Sequence, residues 1–87
     1  MAAEHPAVHI RKLIPDGMTV TSLAKHLGVN RVSMSMLLNE RRGVSVEMSM
    51  RLARAFRTSS RHWLDLQLDY DLAHAPPCPP VRPLLGA

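Results

Sequence analysis

Residues 21–39 read TSLAKHLGVNRVSMSMLLN, and this stretch decides the fold. Leu23 and Leu27 are four residues apart and lie on one face of a short helix. Gly28 ends that helix, because glycine accepts the left-handed conformation found just past helix ends. Asn30 is a favourable N-cap for a second helix. Two short helices joined by a tight turn that starts with glycine predict a helix-turn-helix.

Three further helices are predicted from capping residues and from apolar residues at helical spacing. The first opens at His5-Pro6, since proline is tolerated in a first helical turn. The fourth follows Ser45, and the fifth runs from about Arg61 to Leu72. Besides Leu23 and Leu27, the side chains expected to face the core are mostly apolar. They are Val8, Ile10, Leu13, Met34, Leu37, Leu38, Ser49, Leu52, Ala53 and Phe56.

Length and composition agree with an all-helical domain. The chain has 87 residues, which suffices for one domain with one modest core and excludes a multi-domain enzyme. Apolar residues make up 46% of it but only three are aromatic, so Leu, Met, Val and Ala fill the core, as in packed helices. We expect a helical DNA-binding domain over residues 1–74. The prolines after it predict an extended tail over residues 75–87.

Charge is distributed unevenly along the chain. The net charge is +4, and from Lys25 to Arg61 there are eight basic residues against two acidic ones. Arg51 and Arg54 are expected to project outward from the fourth helix. The fifth helix then carries three aspartates. A basic middle beside an acidic end is typical of a protein that meets a polyanion with one face, although a merely well-solvated surface is an alternative.

The start of the second helix of a helix-turn-helix points away from the core and into the DNA groove. Arg31 can donate two hydrogen bonds to guanine, and Val32 can pack on a thymine methyl group. An ordinary helical hairpin with a solvated Arg31 is the alternative. The candidate base contacts are Asn30, Arg31, Val32, Ser33, Ser35 and Met36. The candidate phosphate contacts are polar or basic residues around them, namely Thr19, Thr21, Asn39, Arg41 and Arg42.

The fifth helix has more apolar surface than one small core requires. Leucines two residues apart point to nearly opposite sides of a helix, so some must meet another chain or the tail. We therefore expect a homodimer with Leu68 and Leu72 at its interface. Trp63 is expected to contact the core and to reach this interface with one edge. A two-fold dimer also suits operator half-sites, which repeat about every 34 Å.

Other functional classes lack support in the sequence. Cys78 is the only cysteine, so neither a disulfide framework nor a CxxC metal site is expected. His5 and His9 have a possible metal-ligand spacing but no third ligand nearby, so no metal is expected. Asp65 and Asp69 are interpreted as a solvated acidic stripe, and no catalytic residue or cofactor is predicted. No secretory signal or membrane span is apparent, which indicates a cytoplasmic protein without a membrane partner.

Several short segments between His5 and Leu72 together carry a resemblance to a known family. They are His5-Pro6, Leu23-Ala24, Leu27-Gly28-Val29, Arg42-Gly43-Val44-Ser45, Met50-Arg51-Leu52-Ala53-Arg54-Ala55-Phe56, Thr58-Ser59, Trp63-Leu64-Asp65-Leu66-Gln67 and Tyr70-Asp71-Leu72. With them the chain resembles HigA-type antitoxins, the plasmid-maintenance antidote branch of the lambda-repressor-like (XRE) helix-turn-helix family. The family usually has glutamine where Val20 stands and glycine at Glu40 and Arg57, so Arg57 is expected in a left-handed conformation.

The resemblance implies a five-helix lambda-repressor-like domain and a function. Such proteins form homodimers, bind double-stranded operator DNA, repress their own operon and neutralise a HigB-type ribonuclease toxin. Two alternatives remain open from the residues alone. One is a stand-alone or phage-type repressor, and the other is an interaction module that only sequesters a toxin.

Overall fold

The computed structural model describes residues 3–86. All regular structure within this range is helical, which confirms the predicted fold class. Residues 1, 2 and 87, which the two predicted ranges include, lie outside the described part of the chain. The five helices are α1 (Pro6–Leu13), α2 (Val20–Leu27), α3 (Arg31–Leu38), α4 (Val46–Phe56) and α5 (Ser60–His74).

Side-chain caps fix where each of these helices begins. An N-cap side chain satisfies a backbone N–H group that has no partner within the helix. Thr19 caps α2 by accepting a hydrogen bond from the Ser22 amide at 3.1 Å. The other caps are His5, Asn30, Ser45 and Ser59.

Four residues in the described range have a positive φ, and one of them is Gly17, with φ 81°, in the turn between α1 and α2. Gly28, which follows α2, has φ 74°, as expected for a glycine that ends a helix. Arg57 ends α4 with φ 54° and ψ 48°, which confirms its predicted left-handed conformation. Glu40 also has a positive φ, 61°. A side chain with a Cβ atom pays about 1–2 kcal/mol for this conformation, so both non-glycine positions are strained.

The core forms between all five helices and confirms most of the predicted inward residues. Met34, Leu37 and Leu52 are essentially inaccessible, while Ala53 and Phe56 are only half-buried. The expectation for Leu13 is wrong, because this side chain is 43% exposed. The buried side of α1 consists of Pro6, Ala7 and the predicted Ile10, and beyond Leu13 it is Ile14 that packs against the core.

Trp63 anchors α5 to the rest of the domain. Its side chain is 0% exposed, and its indole Nε1 donates a hydrogen bond to Thr58 Oγ1 at 2.7 Å. The indole N–H is therefore satisfied within the chain. The prediction that one edge of Trp63 reaches a dimer interface is wrong, because the domain encloses the ring completely.

Beyond Trp63, α5 and the residues after it leave the compact body. Leu68 and Leu72 are 54% and 69% exposed. Residues 75–86 are exposed throughout, and the structure measures 56 × 24 × 22 Å. Its radius of gyration is 15.9 Å, whereas a compact chain of this length has about 12 Å. Among residues 3–86, none of the helices has the length and apolar character that a membrane crossing requires.

Candidate DNA-binding surface

Helices α2 and α3 pack against each other as the two arms of a helix-turn-helix. Leu23, Ala24 and Leu27 of α2 are buried, and the small Ala24 side chain allows the second arm to approach closely. The turn is closed by the backbone: the amide of Val29 donates to the carbonyl of Ala24 at 2.9 Å. The left-handed Gly28 makes this reversal possible. The position of the recognition helix α3 is thus set by the local sequence.

Two arginines outside the helix-turn-helix hold the ends of its arms. Arg51 of α4 donates from Nη1 to the Leu27 carbonyl at 2.7 Å, and Arg11 of α1 donates to the Leu38 carbonyl. Arg51 also pairs with Glu47 at 2.8 Å. The last carbonyls of a helix have no intrahelical partner and attract cations. The expectation that Arg51 simply projects outward is therefore wrong, and sequence periodicity gave no sign of either contact.

The exposed side of α3 contains the residues predicted to contact bases. Arg31 and Val32 are exposed, with Val32 at 61%, whereas Ser33, Ser35 and Met36 are half-buried. We call Asn30, Arg31, Val32 and Ser33 the recognition face. Arg31 Nε donates a hydrogen bond to Thr21 Oγ1 at 3.0 Å. Thr21, a candidate phosphate contact, therefore orients the side chain of Arg31, a candidate base contact. This bond involves only Nε. The two terminal nitrogens of Arg31 can still donate a pair of hydrogen bonds to one ligand.

Several predicted contact residues also have structural roles. Asn30 Oδ1 accepts from the Val32 amide at 2.7 Å as the α3 cap, which leaves its NH₂ group as a donor. Asn39 Nδ2 donates to the Ser35 carbonyl at 2.9 Å and fastens the end of α3. Arg42 Nη1 donates to Ser33 Oγ at 3.0 Å, which draws this arginine against the recognition face.

The loop between α3 and α4 is fastened to α5 by Gln67. Its Oε1 accepts from the Val44 amide at 2.8 Å, and its Nε2 donates to Asp71 at 2.8 Å. A Cβ atom at Gly43 would lie 2.8 Å from the Gln67 amide group, so glycine is needed for this close approach. The loop carries the exposed Arg41 and Arg42. Sequence reasoning missed this role of Gln67; its only signal was a polar residue within the Trp63–Gln67 segment.

The start of α2 differs from the usual family pattern in a way the structure explains. Val20 is half-buried and packs against the core, so it offers no hydrogen bond to a phosphate group. Thr19 and Thr21 on either side of it are exposed. With Ser22, whose hydroxyl accepts a hydrogen bond from Thr19 Oγ1 at 3.0 Å, they give this helix start three exposed hydroxyl groups.

The other titratable residues form no second site. His5 is 3% exposed, and its Nδ1 accepts from the Ala7 amide at 3.0 Å, so it serves as a helix cap. Asp65 and Asp69 are exposed, and Arg61 approaches Asp65 only to 3.9 Å. In the described range, no three His, Cys, Asp or Glu side chains are grouped closely enough to hold a metal ion.

Together, the fold and this surface define a helix-turn-helix protein. The architecture is similar to an addiction module antidote protein of the HigA family from Coxiella burnetii, with 32% identity, a TM-score of 0.81, and coverage of 86% of this chain and 84% of that one. It is also similar to the Pseudomonas aeruginosa antitoxin HigA solved with the higBA promoter, with 35% identity, a TM-score of 0.78, and coverage of 84% and 82%.

Sequence comparison gives relatives of the same kind. Virulence-associated protein A' of Dichelobacter nodosus is 38% identical over 71 residues, which are 79% of this chain; the chain spans 62% of that relative's length. No family model matches the chain. The identity and coverage of the antidote structures show that the chain belongs to the HigA family of helix-turn-helix antidote proteins.

Proposed function

We propose that this protein is an antitoxin and autorepressor, which binds its own operator through α2 and α3 and neutralises a HigB-type ribonuclease toxin. The observation that carries the DNA-binding part is the recognition face, where Arg31 and Val32 are exposed at the start of α3. The Pseudomonas aeruginosa relative was solved with a promoter, which supports a DNA ligand for the same fold.

In the proposed complex, the start of α3 enters the major groove. The terminal nitrogens of Arg31 donate to O6 and N7 of a guanine, and the methyl groups of Val32 pack against a thymine. The hydrogen bond from Arg31 Nε to Thr21 already restricts the Arg31 side chain, so Arg31 loses less conformational entropy when it binds DNA. Asn30, Ser33, Ser35 and Met36 supply the adjoining contacts.

Phosphate contacts flank this groove contact on both sides. Thr19 and Thr21 lie at the start of α2, where unpaired backbone amides favour an anion. Arg41, Arg42 and Asn39 lie beyond the other end of α3. Such contacts set the orientation of the protein on DNA, while the recognition face reads the sequence.

A two-fold dimer would present two recognition faces to one operator. Of the three residues predicted at the dimer interface, Leu68 and Leu72 are exposed and Trp63 is enclosed. The toxin part of the proposal rests on family membership, and the exposed aspartates of α5 suit a basic protein partner. A role without DNA, as an interaction module alone, is the alternative that Val20 favours. The family usually has a glutamine at this position, whose side chain can hydrogen-bond to a phosphate group, and valine cannot make such a contact.

A gel shift with DNA from upstream of the protein's own reading frame tests the proposal. We expect a specific complex, and we expect Arg42→Ala to weaken binding to all sequences, with a salt slope shallower by about 0.9 for one lost phosphate contact. Arg61→Ala removes the same charge from α5, where no contact is proposed, and should leave the slope unchanged. If the wild-type protein binds this DNA no better than random DNA, the operator proposal fails and the interaction module is favoured.

A further inference from the structure

One face of α5 combines exposed leucines with exposed aspartates. Four such residues lie on one side of the helix, because successive members are three, one and three positions apart. They are Asp65, Leu68, Asp69 and Leu72. We call these four residues the α5 stripe. Leu68 is 54% and Leu72 69% exposed, so this surface is apolar and uncovered within the chain. An exposed apolar stripe on a small domain indicates a contact surface.

The segment after α5, residues 75–86, has matching chemistry and is also uncovered. We call it the tail. Its large apolar side chains are Val81, Leu84 and Leu85, which are 78%, 100% and 87% exposed. Its single charged residue is Arg82. The tail thus carries apolar side chains around one positive charge, and the α5 stripe carries apolar side chains between negative charges.

The tail leads away from the stripe of its own chain, and residues 75–86 are exposed throughout. A residue before proline is held in the extended region, and this applies to Ala75, Pro76, Cys78, Pro79 and Arg82. Ala75 itself has φ −68° and ψ 143°. Six residues of polyproline geometry, at about 3.1 Å each, span about 19 Å beyond the end of α5.

The remaining residues give little length for a return along the stripe. Val81 to Leu85 span at most about 18 Å when fully extended, which is about the distance that residues 75–80 lead away from α5. Leu72 and Leu68 lie about 3 Å and 9 Å farther back along the helix. The stripe of a second chain has no such restriction. The tail, at about 37 Å for its twelve residues in polyproline geometry, is longer than the roughly 22 Å of α5.

We propose that the tail of one subunit packs along the α5 stripe of a second copy of this chain, and that the second tail does the same in return. Leu84 and Leu85 then cover Leu68 and Leu72, and Arg82 faces Asp69. Such a reciprocal exchange has two-fold symmetry and closes as a dimer. The proposal does not depend on operator binding, which is measured separately.

Charge reversal in sedimentation equilibrium tests this arrangement. Arg82→Glu should raise the dimer dissociation constant by about fivefold or more, because two equivalent ion pairs are replaced by repulsions. Combining it with Asp69→Arg should restore dimerisation to near the wild-type value, which a loss of folding would not allow. Lys12→Glu, on α1, makes the same change in net charge and should have no effect. A wild-type protein that stays monomeric at micromolar concentration, or a dimer indifferent to Arg82→Glu, overturns the proposal.

Cys78 provides a second test that shows where the tail lies. Cys78 can carry a photoactivated benzophenone, and this protein is mixed with a ¹⁵N-labelled Cys78→Ser chain. We expect cross-links to the α5 peptide of the ¹⁵N chain. Cross-links confined to the chain that carries the probe, or to α2 and α3 of either chain, would contradict the exchange.

Discussion

The strained end of α4 predicts that a glycine should stabilise this protein. Arg57 is exposed, has φ 54° and ψ 48°, and its amide donates to the Ala53 carbonyl. Its Cβ atom costs about 1–2 kcal/mol in this conformation. Glycine removes that cost but has more freedom to lose from the unfolded chain, by roughly 0.5–1 kcal/mol. We therefore expect Arg57→Gly to raise the free energy of unfolding by about 1 kcal/mol.

Thermal unfolding followed by circular dichroism measures this effect. For a domain of this size, about 1 kcal/mol corresponds to a rise in Tm of roughly 4–8 °C. Arg57→Ala is the matched control, since it removes the same guanidinium group but keeps the Cβ atom. Any favourable interaction of the arginine with the end of α4 is lost equally in both variants. If Arg57→Gly melts no higher than Arg57→Ala, the left-handed strain is not what limits stability at this position.

Two further substitutions test contacts that join distant parts of the chain. Gln67→Ala leaves the Val44 amide without its partner, so it should loosen the loop that carries Arg41 and Arg42 and weaken operator binding. Fluorescence anisotropy with operator DNA measures the affinity. An unchanged affinity in a folded variant would contradict this role of Gln67. Thr58→Val leaves the buried Trp63 N–H without an acceptor and should lower the free energy of unfolding, measured by urea titration, by about 1–3 kcal/mol. Thr58→Ser keeps a hydroxyl group and should lower it much less. Equal losses in the two variants would refute this role of the hydroxyl group.

The features that could be predicted from sequence are those decided within a few residues. Asn30 and Ser45 cap their helices because a short side chain reaches the amide two or three residues on. Gly28 takes a left-handed conformation at the end of α2 for an equally local reason, whereas that of Arg57 was expected because the family usually has glycine there. The same applies to the start of α3, which helical spacing placed correctly. These local signals suffice for the helix order and for the exposed position of Arg31.

The features that were missed depend on contacts between residues far apart in sequence. Arg51 reaches a carbonyl 24 positions away, and Gln67 reaches an amide 23 positions away. A periodicity argument assigns each side chain only to a face of its own helix, so it cannot identify either partner. Trp63 was misjudged for a related reason: its size suggested incomplete burial, but the folded domain buries the ring completely. Leu13 was misassigned because helical spacing did not show that the next residue, Ile14, takes the position against the core.

The Arg31→Ala variant is the decisive test of whether the start of α3 reads the operator sequence. The measurement is the affinity of wild type and variant for the operator and for a scrambled duplex of equal length at one salt concentration. We expect a loss of about 1–3 kcal/mol on the operator and a much smaller loss on scrambled DNA, because a paired contact to one guanine disappears. Equal losses on both duplexes would mean that Arg31 contacts only the backbone, which would contradict the proposed placement of the recognition face.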